Sequence, residues 1–170
     1  TRYYFNPDGG GNNGSASIVP VVSGTPAYGS LGSAADENRS NTNYSHWTNR
    51  KFDHQDVDAF ISTNRSLAIK GNEFNISNVN SRERSGVITA GANTVTTLDS
   101  VGTKANTFNI YDDGNAGVVV AGGTLHSNNS VFNVSGSGNA NNTGIWNVGT
   151  TSLNNNTFSI SGGQSNGIYN

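Results

Sequence analysis

The sequence predicts an all-β solenoid, a single-stranded parallel β-helix of about four regular coils behind an irregular N-terminal cap. Three observations lead there. First, Phe74, Phe108, Phe132 and Phe158 are each followed two residues later by Ile76, Ile110, Val134 or Ile160, with Asn75, Asn109, Asn133 or Ser159 between. Apolar, polar, apolar is the pattern of a strand with one buried face. Second, each of these runs is followed by a Gly and two large residues: Gly86-Val87-Ile88, Gly117-Val118-Val119, Gly144-Ile145-Trp146 and Gly167-Ile168-Tyr169. A Leu behind a hydroxyl residue precedes each Phe run, as Ser66-Leu67, Thr97-Leu98, Thr124-Leu125 and Ser152-Leu153. Third, the four Phe lie 34, 24 and 26 residues apart by difference of their numbers. That range belongs to stacked repeats, and three strands in so few residues leave no room for a propeller blade. Variation in length is confined to Asn78–Ser85, Gly102–Asn106 and Ser135–Thr143, so insertions fall in loops while the strands keep register. The Phe, Ile/Val, Leu and post-Gly positions are expected to stack as interior columns, one coil about 4.8 Å above the last.

Taken in order, Thr1 to Asn6 is aromatic and reads as a first strand or cap, and Pro7 to Gly14 as a Gly/Asn-rich loop. Ile18 to Val22 is strand-like, with Pro20 placing it at an edge because proline cannot donate to a central ladder. Thr25 to Tyr44 is an extended excursion, and His46 to Ala59 holds the densest charge in the chain. Phe60-Ile61 and Leu67-Ala68-Ile69 begin the regular coils, giving a cap over residues 1–56 and coils over residues 57–170 of one continuous domain. Asn72, Asn106 and Asn156 recur two residues before the Phe, with Ser130 in that place in the third copy. An αL turn residue whose amide bonds its counterpart one coil away explains the recurrence.

Composition agrees with a thin-cored solenoid. Hydrophobic residues make up 32% of 170, charged residues 12%, and Gly numbers 22. That is too little apolar mass for a conventional globule and too little charge for a disordered chain. With no Cys there is neither disulfide nor thiolate chemistry. A net charge of −2 with scattered Arg and Lys offers no stripe for nucleic acid, and no apolar run is long enough to span a membrane as a helix. The absence of an initiating Met points to a processed or excised product.

Candidate chemistry is sparse. Asp53, Asp56 and Asp58, with His54, place oxygen ligands at near-alternate positions, as a divalent cation requires; a solvated turn is the competing reading. Asp112-Asp113 is a candidate acid–base pair on a polysaccharide if a partner carboxyl lies in a neighbouring coil, although Asp-Asp-Gly-Asn is also the composition of a turn. His126 reads as a solvent-facing strand residue. The Gly-rich runs at Asp8–Gly11 and Gly136–Gly138 open no helix, so they do not argue for phosphate, and no motif calls for a cofactor. Two surface columns are expected. The residue after each Gly points inward, so the next points outward, giving a binding stripe of Ile88, Val119, Trp146 and Tyr169. Ser66, Thr97, Thr124 and Ser152 would form a line of hydroxyls.

The repeated Asn-x-Phe-x-Ile-Ser, at Asn72–Ser77 and Asn156–Ser161, followed by a polar loop and Gly-Ile/Val, resembles the passenger region of bacterial autotransporters and related surface adhesins. The resemblance covers roughly residues 57 to 170. It implies right-handed coils, export to the extracellular face of a bacterial cell, and a structural or adhesive role toward a protein or glycan at a cell surface. No catalytic motif carries over, and tailspike-like or polysaccharide-degrading enzymes and ice-binding proteins share this architecture. The chain stops directly after its fourth Gly-Ile-Tyr-type strand, so self-association through an open C-terminal coil, extending into a filament, is a further expectation.

Overall fold

Alternation about each Phe lays down strands too short to be stable alone, and each pairs with its counterpart one repeat along the chain. In the computed structural model, residues 3–5, 16–18, 51–52, 59–63, 67–77, 83–100, 102–136 and 138–170 are described. Every element among them is a strand, and the strands fall into three sheets. The first contains β1 (Tyr3–Phe5), β2 (Ala16–Ile18), β4 (Ala59–Thr63), β7 (Ser85–Thr89), β10 (Ala116–Val120), β13 (Thr143–Asn147) and β16 (Asn166–Tyr169), in that spatial order. A second orders β5 (Leu67–Lys70), β8 (Val95–Asp99), β11 (Thr124–Asn128) and β14 (Thr150–Asn154). The third orders β3 (Lys51–Phe52), β6 (Glu73–Ile76), β9 (Thr107–Ile110), β12 (Val131–Val134) and β15 (Thr157–Ile160). One strand from each sheet makes a coil, so the chain forms a parallel β-solenoid of about four turns, with β16 beginning another.

Coil-to-coil pairing is parallel throughout. Antiparallel pairs join β1 to β2 and β2 to β4. Of the strand expected at Ile18–Val22 only Ile18 is described, as the last residue of β2, which lies between β1 and β4; residues 19–22 fall outside the described residues. Pro20 falls outside the described residues.

Three interior columns form as the alternation requires. Phe74, Phe108, Phe132 and Phe158 stack face to face, with centroids 4.6, 4.9 and 4.8 Å apart and rings within 7° of parallel. The strand spacing sets this ring spacing. Ile76, Ile110 and Val134 form the second column and Val87, Val118 and Ile145 the third, each continued in register by an exposed residue of the last turn, Ile160 and Ile168. Ile61 continues the third column below Val87. Each fully buried aliphatic or aromatic side chain contributes about 1.5–3 kcal/mol of transfer free energy.

The glycine of each coil lies at the inner corner against its own coil's Phe. A methyl group at Gly86 would meet Phe108 Cδ1 at 3.0 Å, and one at Gly144 would meet Phe158 Cε1 at 3.0 Å. Opposite Gly86 in the first coil stands Phe60, which is buried and packs at 6.3 Å on Phe74 with a 42° tilt.

The Leu column is not formed as expected. Leu125 stands opposite Thr96 and Thr151, while Leu98 stands opposite Ile69 and Ser127, which in turn faces Leu153. The strands β8 and β11 each have two buried positions, Thr96 and Leu98 in one and Leu125 and Ser127 in the other, and Leu occupies either one. The proposed hydroxyl line of Ser66, Thr97, Thr124 and Ser152 dissolves for the same reason. Thr97 is flanked by Ala68 and His126, Thr124 by Val95 and Thr150, and Ser66 falls outside the described residues.

Asn72 and Asn106 are buried and Asn156 half-buried; in three coils the αL residue is the one before this position, Gly71, Asn129 and Asn155 having φ of 64°, 55° and 56°, while Ala105 before Asn106 is not in αL. Asn106 Oδ1 accepts the Asn72 backbone N–H at 2.9 Å, and its Nδ2 donates to the Ile69 and Asp99 carbonyls, each at 2.9 Å. Its amide therefore satisfies backbone groups the corner would otherwise strand, each worth about 1–3 kcal/mol if left unpaired in the interior. Asn115 and Asn142 do the same at the opposite corner, where Arg84 N–H donates to Asn115 Oδ1 at 2.8 Å and Asn115 N–H to Asn142 Oδ1 at 2.9 Å. An outward ladder joins Asn133 Nδ2 to Asn109 Oδ1 and Asn109 Nδ2 to Asn75 Oδ1, both at 2.9 Å.

Candidate functional site

The stripe read from parity is a physical column. Ile88 pairs with Val119, Val119 with Trp146 and Trp146 with Tyr169 in successive registers of the first sheet. Ile88, Val119 and Trp146 point away from the core because the residue before each, Val87, Val118 or Ile145, is buried, and Tyr169 continues their register above Trp146 beside Ile168, which is itself 42% exposed. Ile88 and Val119 are half-buried, whereas Trp146 is 42% and Tyr169 54% exposed. The two rings meet edge to face at 5.3 Å and 61°, a geometry the aromatic quadrupoles favour.

Beside this pair opens a groove of about 340 Å³, lined by Glu83, Asp113, Asn115 and Asn141 as well as Trp146 and Tyr169. Its polar residues come from the corners that lead into successive strands of the first sheet: Glu83 into β7, Asp113 into β10 and Asn141 into β13. Gly114, with φ of +77°, lets the Glu83 side chain lie across the corner, since a methyl group there would sit 3.2 Å from Glu83 Cγ. Asp113 Oδ1 accepts the Asn141 backbone N–H at 2.8 Å, which ties one coil's corner to the next.

Asp112-Asp113 is a turn. Asp112 has φ of 65°, and its carbonyl accepts Asn142 Nδ2 at 2.9 Å. The two side chains are exposed; Asp113 reaches the aromatic groove, and both border a second hollow with Asn139 and Ala140. The neighbouring-coil carboxyl that shares the groove with Asp113 is Glu83. Sequence reasoning had no means to select it, because it lies inside the variable run Asn78–Ser85. His126 is exposed between Thr97 and Ser152, a surface strand position. Asp53, His54, Asp56 and Asp58 fall outside the described residues. Among the described residues no group of three or more His, Asp or Glu side chains is placed to hold a metal ion. Nor is any helix among them long and apolar enough to cross a membrane.

Comparison with family models, curated proteins and solved structures finds no match to this chain.

Proposed function

We propose that the chain is an exported cell-surface β-solenoid with a structural and adhesive role, whose Ile88, Val119, Trp146 and Tyr169 face meets a protein or glycan at a cell surface. The observation that carries this reading is the exposed Trp146–Tyr169 pair at the rim of a polar groove. Contiguous exposed apolar surface rimmed by polar groups marks interaction sites, and Trp and Tyr are enriched in the buried centres of interfaces. Solenoid coils present such a face as a rigid strip, so little order has to be imposed on binding. The Asn, Gly, Ser and Thr richness of the coils and the lack of Cys fit an extracellular surface protein of the kind the repeats resemble.

The test is attachment of the labelled 170-residue chain to intact cells and to immobilised surface glycans and proteins. Trp146→Ala and Tyr169→Ala are each expected to weaken attachment by about tenfold with the far-UV spectrum unchanged. Attachment at full strength in both variants overturns the assignment of this face.

A second reading draws on the convergence of Glu83 and Asp113 from adjacent corners: cleavage of a bound polysaccharide by a carboxyl pair. Release of new sugar ends that is lost in Glu83→Gln supports it, and no release from any polysaccharide the chain binds overturns it.

A further inference from the structure

The Trp146 and Tyr169 rings are more than an apolar patch. They meet at 61°, so they form an angled wall, and the exposed Glu83 and Asn141 side chains line the same groove. A matching ligand offers a flat apolar surface to a ring and, at its edge, hydrogen-bond donors for a carboxylate and an amide. An aliphatic side chain supplies only the first, and covering the groove with it leaves the Glu83 carboxylate without a donor in exchange for water.

Charge does not select the ligand. Glu83 stands in sequence between Arg82, which falls outside the described residues, and the buried Arg84, and Asp113 is already engaged by the Asn141 N–H at 2.8 Å. Mixed charge of this kind exerts little net pull on an ion of either sign. Resting on the reading of this face as a binding surface, we infer that the groove receives a neutral pyranose unit of a glycan, with at least one ring face carrying only C–H groups.

That ring face packs on an aromatic ring, while hydroxyls at the sugar's edge donate to Glu83 and exchange hydrogen bonds with the Asn141 amide. The Asn141 backbone is held on both sides, its N–H by Asp113 and its carbonyl by the Gly114 N–H at 3.2 Å, so the amide starts from a fixed point. At about 340 Å³ the groove lies at the small end of the range for ligand sites, about 300–1,000 Å³, and takes about one or two sugar units.

Magnitudes set the affinity. Covering roughly 60 Å² of apolar surface contributes about tenfold. A hydroxyl donated to a carboxylate contributes about tenfold and a neutral hydrogen bond about fivefold. Together these give roughly five-hundredfold, which places one unit in the millimolar range. Firm attachment to a surface therefore requires several sites and several sugars engaged at once.

The test titrates the isotope-labelled 170-residue chain with neutral tetrasaccharides of β-linked glucose, galactose and N-acetylglucosamine, and with a capped Gly-Leu-Gly peptide as an apolar side-chain probe, each to about 10 mM. The Trp146 indole N–H signal, identified by its loss in Trp146→Phe, reports occupancy. At least one tetrasaccharide is expected to shift that signal, and the peptide is not. Tyr169→Ala and Glu83→Ala should each weaken the tetrasaccharide about tenfold, and Asn141→Ala about fivefold. Ala at position 141 keeps the backbone N–H for Asp113, so the corner stays closed. Raising salt to about 0.5 M should change the affinity by less than about twofold, since the ligand carries no charge. An unmoved Trp146 signal with every tetrasaccharide overturns the inference, as does binding undiminished in both Glu83→Ala and Asn141→Ala, or binding that falls about tenfold in salt. A peptide that shifts Trp146 where no tetrasaccharide does also overturns it, while leaving the binding face itself standing. Cell attachment that survives Trp146→Ala and Tyr169→Ala overturns the face as well.

Discussion

At Gly117 an added methyl group would lie 2.7 Å from the Gly144 carbonyl oxygen and 3.1 Å from Phe132 Cδ1. Neither neighbour can move away: one is backbone in the next coil and the other a ring in the core stack. Gly117→Ala is expected to cost about 2–3 kcal/mol, the range for overpacking a tight interior. Gly102 is the contrasting case. Its φ of +58° strains any L side chain, but nothing among the described residues lies within 4 Å of the position. Gly102→Ala should cost only about 1 kcal/mol, the αL penalty alone. Denaturant titration of the two variants separates steric from conformational cost, and equal losses would contradict the corner packing. Thr96 presents the opposite situation. It is fully buried, its hydroxyl has no hydrogen-bond partner among the described residues, and it faces Leu125 across the sheet. Thr96→Val removes that hydroxyl at nearly the same shape and should raise stability by about 1 kcal/mol. A loss of stability would show that the hydroxyl is satisfied.

The strands built around the four Phe carry most of the core, and their contributions follow from their place in the stack. Phe132 is sandwiched between Phe108 and Phe158, whereas Phe158 is only partly buried. Phe132→Ala should therefore cost about 3–5 kcal/mol and Phe158→Ala about 2 kcal/mol. Unfolding midpoints of the two variants check the ordering, and a larger loss at Phe158 would contradict it. This column was legible in the sequence because each β-strand has one large aromatic at a fixed offset from an Ile or Val, with nothing else to choose. The exposed Trp146 and Tyr169 were legible by the same parity, counted from glycines that mark the corner. The Leu column was not, because the strands β8 and β11 each offer two inward places. Buried hydroxyls fill the places that Leu leaves: Thr96 stands in register with Leu125, and Ser127 with Leu98. Ser127 is satisfied there by Asn156 Oδ1 at 2.9 Å, so a polar residue inside breaks no rule and erases the alternation. In three coils the αL turn lies one residue before the position read from the sequence, because a buried Asn and an αL Asn have the same composition signal; only the amide's partners distinguish them. Glu83 was invisible, since its arrival over Gly114 is a product of coil stacking.

In the molecule as a whole, each coil contacts little beyond the coils next to it, so the interior columns and the outward stripe depend on one shared register. Slipping a single strand by one residue would turn Trp146 inward and Ile145 outward together. Register is accordingly the claim on which both the core and the proposed binding face stand. Proton–proton contacts between aromatic rings, measured by nuclear Overhauser spectroscopy on the intact chain with labelled Phe, Tyr and Trp, test it most directly. The account predicts an unbranched series of ring contacts from Phe74 to Phe108 to Phe132 to Phe158, and a separate contact between Trp146 and Tyr169. A contact that skips a coil, such as Phe74 with Phe132, or one that places Trp146 against the Phe series, would contradict it.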